Sequence, residues 1–370
     1  MKIAIQAADL DSARIDGTRV YILNLLKYFG KLDPDGDFFI YHRNAFNPEL
    51  IPPVFSNYKI KKIEFLFYWT QIRFAAEIWK DMPDVLWMPM QTLPFVRKKS
   101  LKTVVTIHDL AFKYFPDNFP KSDLRRLSLF SGYAIRNADK IIAVSRSTKN
   151  DILKFYPEIK SEKIRVIYHG FDPDVFSASR DIEQESRVKK KLSIDGEYLL
   201  YVGAIQPRKN LVVLIEAFEE VKKMHPNIQL VLAGEKAWQW DEIVRKVSKS
   251  PYKKDIIMPG KLKFGDLGHL MRGAAVYVLP SLYEGFGIPV LEALASKIPV
   301  IAADNSSLRE VGGESVIYFN AKKPSELATK IREVLSDDDL RQNLIQKGGE
   351  QIKKFSWEKC AEETLDYLKS

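Results

Sequence analysis

Two consecutive series of short, almost continuously apolar segments, separated by longer amphipathic stretches, constrain this chain more than any other feature. The first series is Lys2–Ala7, Phe38–Tyr41, Val85–Met88, Lys102–Ile107 and Lys140–Val144. The second is Tyr198–Val202, Gln229–Ala233, Ile256–Met258, Ala275–Leu279 and Val300–Ala302. Strands that are apolar throughout, rather than at every second residue, are covered on both faces, as in parallel sheets with helical crossovers. Two such series predict an α/β protein with two doubly wound, Rossmann-like parallel-sheet domains rather than one barrel. The 370 residues suit two domains of about 150–200 residues. The expected boundaries are residues 1–172 for the first domain and 197–355 for the second. Residues 173–196, with the polar run SASRDIEQESRVKKK, read as linker plus the start of the second domain, and residues 356–370 as a final helix with Ser356 as its N-cap.

Composition excludes several classes. The longest apolar stretches, such as Ala274–Pro280, are far shorter than the roughly 20 residues of a membrane-spanning helix. The N-terminal segment reads as a buried strand that meets acid at Asp9, not as a secretory signal, so a cytoplasmic location is expected. A single cysteine, Cys360, rules out an internal disulfide and a cysteine metal cluster. The net charge is +9, and residues 1–172 hold nearly all of the excess, with 27 Lys+Arg against 19 Asp+Glu. The basic residues concentrate at Lys59, Lys61, Lys62 and at Arg97, Lys98, Lys99, near the aromatic run Phe65–Trp69 and Trp79. A solvated face, contact with an anionic membrane surface or lipid-phosphate acceptor, and nucleic-acid binding would each use such a surplus. No nucleic-acid motif accompanies it, which disfavours the last.

The most informative stretch is Pro280–Ala303, PSLYEGFGIPVLEALASKIPVIAA. A strand ends at Leu279, a loop with Gly285 and Gly287 follows, and Pro289 is placed at a helix start. Glycines allow close backbone approach to a ligand, and the new helix offers free N–H groups to an anion. Glu284 lies in the loop and Glu292 in the first turns of the helix. One glutamate there is explained by the helix dipole. Two beside a phosphate would repel it, unless they grip neutral hydroxyls such as those of sugars and riboses while cations offset their charge. Tyr201–Asn210, YVGAIQPRKN, supplies cations: a strand breaks at Gly203 and Arg208-Lys209 follow, with Asn210 as an expected N-cap. An exposed basic loop would account for the pair taken alone. A diphosphate would use both, Arg as a planar fork and Lys as a point charge.

Gly203 with Arg208-Lys209-Asn210, then Glu284-(seven residues)-Glu292, resembles the retaining GT-B glycosyltransferases of family four, particularly the branch using GDP-mannose. IHDL, AVSRST, VIYHGFD, PVIAADNSSLREV and FSWEK resemble family segments in family order, across nearly the whole chain. The resemblance implies two domains facing a cleft, the first receiving the acceptor, with the final helix returning to the first domain. It implies that Arg208 and Lys209 neutralise the diphosphate of a nucleotide-sugar donor as leaving group, and that Glu292 holds the ribose hydroxyls. Glu284 would sit beside the transferred sugar, with the amides of Gly285, Phe286 and Gly287 around sugar and phosphate. Gly17, in a loop before the first helix, would approach the diphosphate, although Thr18 replaces the second glycine often found there. Base recognition would fall near Gly260 and Lys261. His108 ends a buried strand and reads as a core or loop-capping histidine by itself; the resemblance makes it a contact to the donor sugar. Asp109 would brace its loop or help orient an acceptor. Retention would proceed by front-face attack, the departing phosphate accepting the proton, with no metal cofactor.

The expected activity is therefore transfer of a hexose, mannose from GDP-mannose, to a glycan or lipid-linked acceptor of surface polysaccharide or glycolipid synthesis. Alternatives are a UDP-sugar transferase, a sugar-nucleotide epimerase and a non-catalytic nucleotide-sugar binder. A dehydrogenase would need G-x-G-x-x-G after a strand, which is missing. DPDGD at 33–37 and Asp172-Pro-Asp174 read as turns, Asp337–Asp339 as a helix start, and the five histidines have no zinc spacing. Trp87 stands where related mannosyltransferases suggest histidine, which bears on donor or acceptor preference.

Overall fold

The computed structural model describes all 370 residues, which divide into two compact units. The first comprises Met1–Tyr114, Pro120–Gly170 and Ser356–Ser370; the second comprises Phe115–Phe119 and Phe171–Phe355.

In the first unit the strands are β1 (Lys2–Gln6), β2 (Asp37–His42), β3 (Tyr58–Lys62), β4 (Val85–Met88), β5 (Lys102–Ile107), β6 (Lys140–Ala143) and β7 (Ile164–Val166). They form one parallel sheet in the order β3-β2-β1-β4-β5-β6-β7. Burial explains the pattern: β4 is wholly buried, and every β1 residue after Lys2 is too. The helix Gly17–Leu32 buries Tyr21, Ile22, Leu25, Leu26 and Phe29, at helical spacing. The helix Trp357–Lys369 packs on it, with Ser356 Oγ accepting from the Lys359 amide at 3.1 Å. Lys369 then pairs with Asp33 at 2.8 Å. DPDGD is the turn between the Gly17–Leu32 helix and β2.

The second unit holds β8 (Tyr198–Val202), β9 (Gln229–Ala233), β10 (Ile256–Gly260), β11 (Val276–Leu279), β12 (Val300–Ala303) and β13 (Val316–Phe319). Its parallel sheet is ordered β10-β9-β8-β11-β12-β13. Both sheets reverse winding direction after their first strand, the first between β1 and β4 and the second between β8 and β11. Ligands of open α/β sheets bind beyond the strand ends at such a point.

Residues 173–196, expected as linker plus the start of the second domain, lie in the second unit and include helices Pro173–Phe176 and Ile182–Lys191, each capped by a side-chain oxygen, of Asp172 and of Asp181. Two expectations are corrected. Lys59, Lys61 and Lys62 lie on edge strand β3 and are matched by Asp37, Asp81 and Glu64, so this cluster is a neutralised edge. Trp87 is fully buried and donates to Thr106 Oγ1 at 3.1 Å, which makes it a core residue.

Candidate functional site

In the second unit the residues after β8 and after β11, neighbours in the sheet, form one constellation. Pro207–Lys209 make a single helical turn, and the Arg208 carbonyl accepts from the Leu282 amide at 2.9 Å, joining the two loops. Lys209 Nζ lies 2.5 Å from Glu284 Oε1. Arg208 Nη1 donates to the Tyr283 carbonyl at 2.6 Å and stands 3.7 Å from Glu284 Oε2. All three side chains are largely buried, with 16%, 14% and 11% exposure for Arg208, Lys209 and Glu284. Burial pushes the Glu284 carboxyl up, but Lys209 and Arg208 outweigh it, and the net displacement is downward. Glu284 is therefore an anion at neutral pH.

Asn210 does not cap the following helix. Its backbone is left-handed (φ 58°), and its amide nitrogen instead donates to the Pro280 carbonyl at 3.0 Å and the Ala321 carbonyl at 2.8 Å. The side chain thus holds the strand-end loops together. Gly203 adopts φ +151°, and a Cβ there would meet the Tyr201 hydroxyl at 2.6 Å, so its glycine is required by internal packing. Gly287 adopts φ +105° directly before the helix Ile288–Ala295. Gly285 and Phe286 are buried in the loop, and the Phe286 ring meets Phe355 edge-on at 5.9 Å.

Glu292, on that helix, differs from Glu284. It is half-buried, and its carboxyl makes no hydrogen bond or ion pair. Burial, with the nearby Asp172 carboxylate adding to it, pushes its carboxyl up to about 8. The two acids are thus in opposite states at pH 7, one ionised between cations and the other neutral. The repulsion expected of two carboxylates beside a phosphate is removed: two cations and one anion leave a net positive site. Gly260 ends β10 at φ +77°, with open space where a side chain would stand, and Lys261 next to it is exposed.

Three residues not assigned a role by the sequence reading position this loop. Ser306, itself left-handed (φ 46°), accepts from the Glu284 amide at 3.0 Å. Ser307 Oγ bonds the Glu284 and Phe286 carbonyls at 3.0 and 2.7 Å, and Asn305 donates to the Ser281 carbonyl at 2.8 Å. The signal for them was DNSS, a polar run directly after apolar β12.

In the first unit, Gly17 is the first residue of its helix rather than part of the preceding loop, and it is exposed. Asp16 caps this helix, accepting from the Arg19 amide at 3.4 Å and from its guanidinium at 2.6 Å. His108 follows β5. Its Nε2–H donates to the Pro89 carbonyl at 2.8 Å, which fixes the tautomer, and burial lowers its pKa. The ring meets Tyr21 edge-on at 5.1 Å and stacks over His169 at 5.7 Å. Asp109 Oδ1 accepts from the Ala111 amide at 3.0 Å, bracing the loop. Asp172 accepts from the Asp174 amide at 3.1 Å as a helix cap. No group of three or more His, Cys, Asp or Glu is arranged to hold a metal ion.

Comparison with known proteins matches this arrangement to one family. The "Glycosyltransferase Family 4" profile matches residues 15–175, and "Glycosyl transferases group 1" matches residues 182–351. O-antigen chain mannosyltransferase B of Escherichia coli is 28% identical over 272 residues, covering 72% of this chain and 70% of the relative. O-antigen chain mannosyltransferase RfbU of Salmonella typhimurium is 29% identical over 244 residues, covering 66% of this chain and 62% of that protein. Among solved structures, Anabaena Alr3699/HepE in complex with UDP and glucose covers 100% of both chains at TM-score 0.77 and 18% identity. WaaG, a glycosyltransferase involved in lipopolysaccharide biosynthesis, covers 99% of both at TM-score 0.73 and 16% identity. With two Rossmann-like units and both profiles matched in order, the chain belongs to the family-four glycosyltransferases and has the GT-B fold.

Proposed function

We propose that this glycosyltransferase moves mannose from GDP-mannose to a glycan or lipid-linked acceptor with retention of anomeric configuration and without a metal. The observation that carries the reading is the buried Arg208–Lys209–Glu284 constellation at the winding reversal of the second sheet. As the bond from anomeric carbon to phosphate oxygen breaks, charge grows on the leaving diphosphate. Two fixed cations in a poorly solvated site stabilise that charge where a metal would otherwise serve. A phosphate oxygen of the leaving group takes the acceptor hydroxyl's proton as the new glycosidic bond forms. Glu284 keeps both cations in place and lies where a hexose hydroxyl can reach it, and neutral Glu292 both donates to and accepts from a ribose diol. Gly17, His108, Gly203, Gly285, Phe286, Gly287, Gly260 and Lys261 keep the donor-binding roles assigned by resemblance. Mannose is supported by the names of the O-antigen relatives; a UDP-hexose is the second reading, supported by the UDP complexes of the structural neighbour.

A thermal-shift panel with GDP, UDP, ADP and their sugars tests the donor. At 100 times its dissociation constant the true nucleotide adds about 2.7 kcal/mol. Lys209→Ala should abolish both that shift and sugar transfer from the matching donor while the fold persists. A panel in which no nucleotide raises the melt would overturn the reading.

The acceptor proposal includes contact with an anionic membrane surface. Support comes from the first unit, where Leu66, Phe67 and Tyr68 are 77%, 73% and 73% exposed and Trp79 and Met82 are 49% and 63% exposed. Lys98 stands 5.4 Å from the Trp79 ring. Exposed apolar side chains with Lys98 beside Trp79 suit an acidic lipid interface. No helix is long and apolar enough to cross a membrane. Co-sedimentation with phosphatidylglycerol vesicles but not phosphatidylcholine vesicles, reduced by Phe67→Glu with Trp79→Glu, is the expected result.

A further inference from the structure

The second unit has another cavity, at the amino-terminal ends of its strands, the opposite edge of the sheet from Arg208 and Glu284. It measures about 610 Å³ and is bounded by the starts of β8, β11 and β12 at Glu197, Ala275 and Pro299. Five cationic side chains line it: Arg180, Lys189, Arg272, Lys297 and Arg341. The acids near them are Glu197 in the lining, Glu185 at 2.8 Å from Arg180 Nε, and exposed Asp338 at 3.8 Å from Arg341 Nη1. Five cations against three acids leave a surplus of two. Arg272 is anchored from behind, its Nη1 donating to the Val175 carbonyl at 2.6 Å and its Nη2 lying 3.0 Å from His269 Nδ1. Its Nε, 4.0 Å from Glu185 Oε1, is buried without a hydrogen-bond partner. Ser296 Oγ is likewise buried and unpartnered, in a residue only 5% exposed.

We propose that this cavity is a second ligand site, taking a small phosphorylated metabolite. A phosphoryl group offers three acceptor oxygens and up to two charges to the Arg272, Ser296 and Lys297 wall, more than a single carboxylate can. The volume lies within the range of roughly 300–1,000 Å³ for small-molecule sites. Ser296 and Lys297 end the helix that carries Glu292, and Phe176, also in the lining, ends the helix capped by Asp172.

The test is calorimetric titration with inorganic phosphate and pyrophosphate at constant ionic strength, in a Lys209→Ala background that weakens the donor site. Saturable binding is expected there, weakened about tenfold by Lys297→Glu with Arg341→Glu and severalfold by Ser296→Ala. Ser296→Ala removes an unsatisfied hydroxyl and should leave the melting temperature unchanged or raised, so it serves if the charge-reversal variant fails to fold. Absence of saturable binding in the Lys209→Ala protein, or binding indifferent to substitutions in the cavity, would overturn the proposal.

Discussion

Glu292 and Glu284 are the same residue type eight positions apart, yet the protein holds them in opposite charge states. The cause is local. Lys209 Nζ reaches Glu284 at 2.5 Å, while the Glu292 carboxyl has no ion partner and is raised first by burial and then by the Asp172 carboxylate. The spacing of the two glutamates was legible in the sequence; the difference between them was not, because Asp172 is 120 residues from Glu292 in the chain. A pH prediction follows from the raised Glu292 value. Below pH 4.5 the group is protonated in both folded and unfolded chains. Between 4.5 and about 8 only the unfolded chain ionises, so the stability gained from a neutral Glu292 is lost across that window. Glu292→Gln should therefore stabilise the protein at pH 8 by on the order of 4 kcal/mol, at about 1.4 kcal/mol per unit of displacement, with little difference at pH 4; paired denaturant curves at the two values check this. The same variant should flatten a decline in donor affinity above pH 8, because ionised Glu292 repels the diphosphate. Wild-type affinity that is level from pH 7 to 9 would contradict that assignment.

At the level of elements, nine of the ten expected strands match the structure to within one residue at each end, and the interior ones were legible because both their faces are buried. The three strands not anticipated, β3, β7 and β13, are all sheet edges. An edge strand has solvent along one side and need not be apolar: β3 reads YKIKK and is mostly exposed. Caps made by the chain's own side chains were equally legible, as at Ser356 and Asp337. Asn210 was not, since its amide is drawn to carbonyls 70 and 111 residues away. Replacing Ser356 by alanine should cost about 1 kcal/mol, read as a lower melting temperature with unchanged donor affinity. Gly287→Ala carries a different penalty. Its φ of +105° and a Cβ position 2.9 Å from Leu308 Cδ2 should displace the Glu284 loop, costing about 1–2 kcal/mol and lowering turnover more than stability alone explains.

For the whole molecule, the last fifteen residues, Ser356–Ser370, belong with the first unit. Trp357, Cys360, Ala361, Thr364, Leu365 and Leu368 are buried there, Tyr367 donates to the Lys163 carbonyl at 2.8 Å, and Lys140 donates to the Tyr367 carbonyl at 2.9 Å. Truncation after Phe355 should therefore expose the first unit to limited proteolysis while the second remains resistant; equal loss of both would contradict this division. The sequence by itself determined the two-sheet α/β class, the family and the strand-end loops that carry Arg208, Lys209 and Glu284, because burial on both faces and local turn chemistry are written within a few neighbouring residues. Only the tertiary structure decided which charges are spent and which remain. The β3 lysines are neutralised by Asp37, Asp81 and Glu64, Trp87 is withdrawn into the core, and Glu292 is left neutral beside Asp172. Charge state depends on desolvation and on partners a few ångströms away in space, and chain order does not encode those distances.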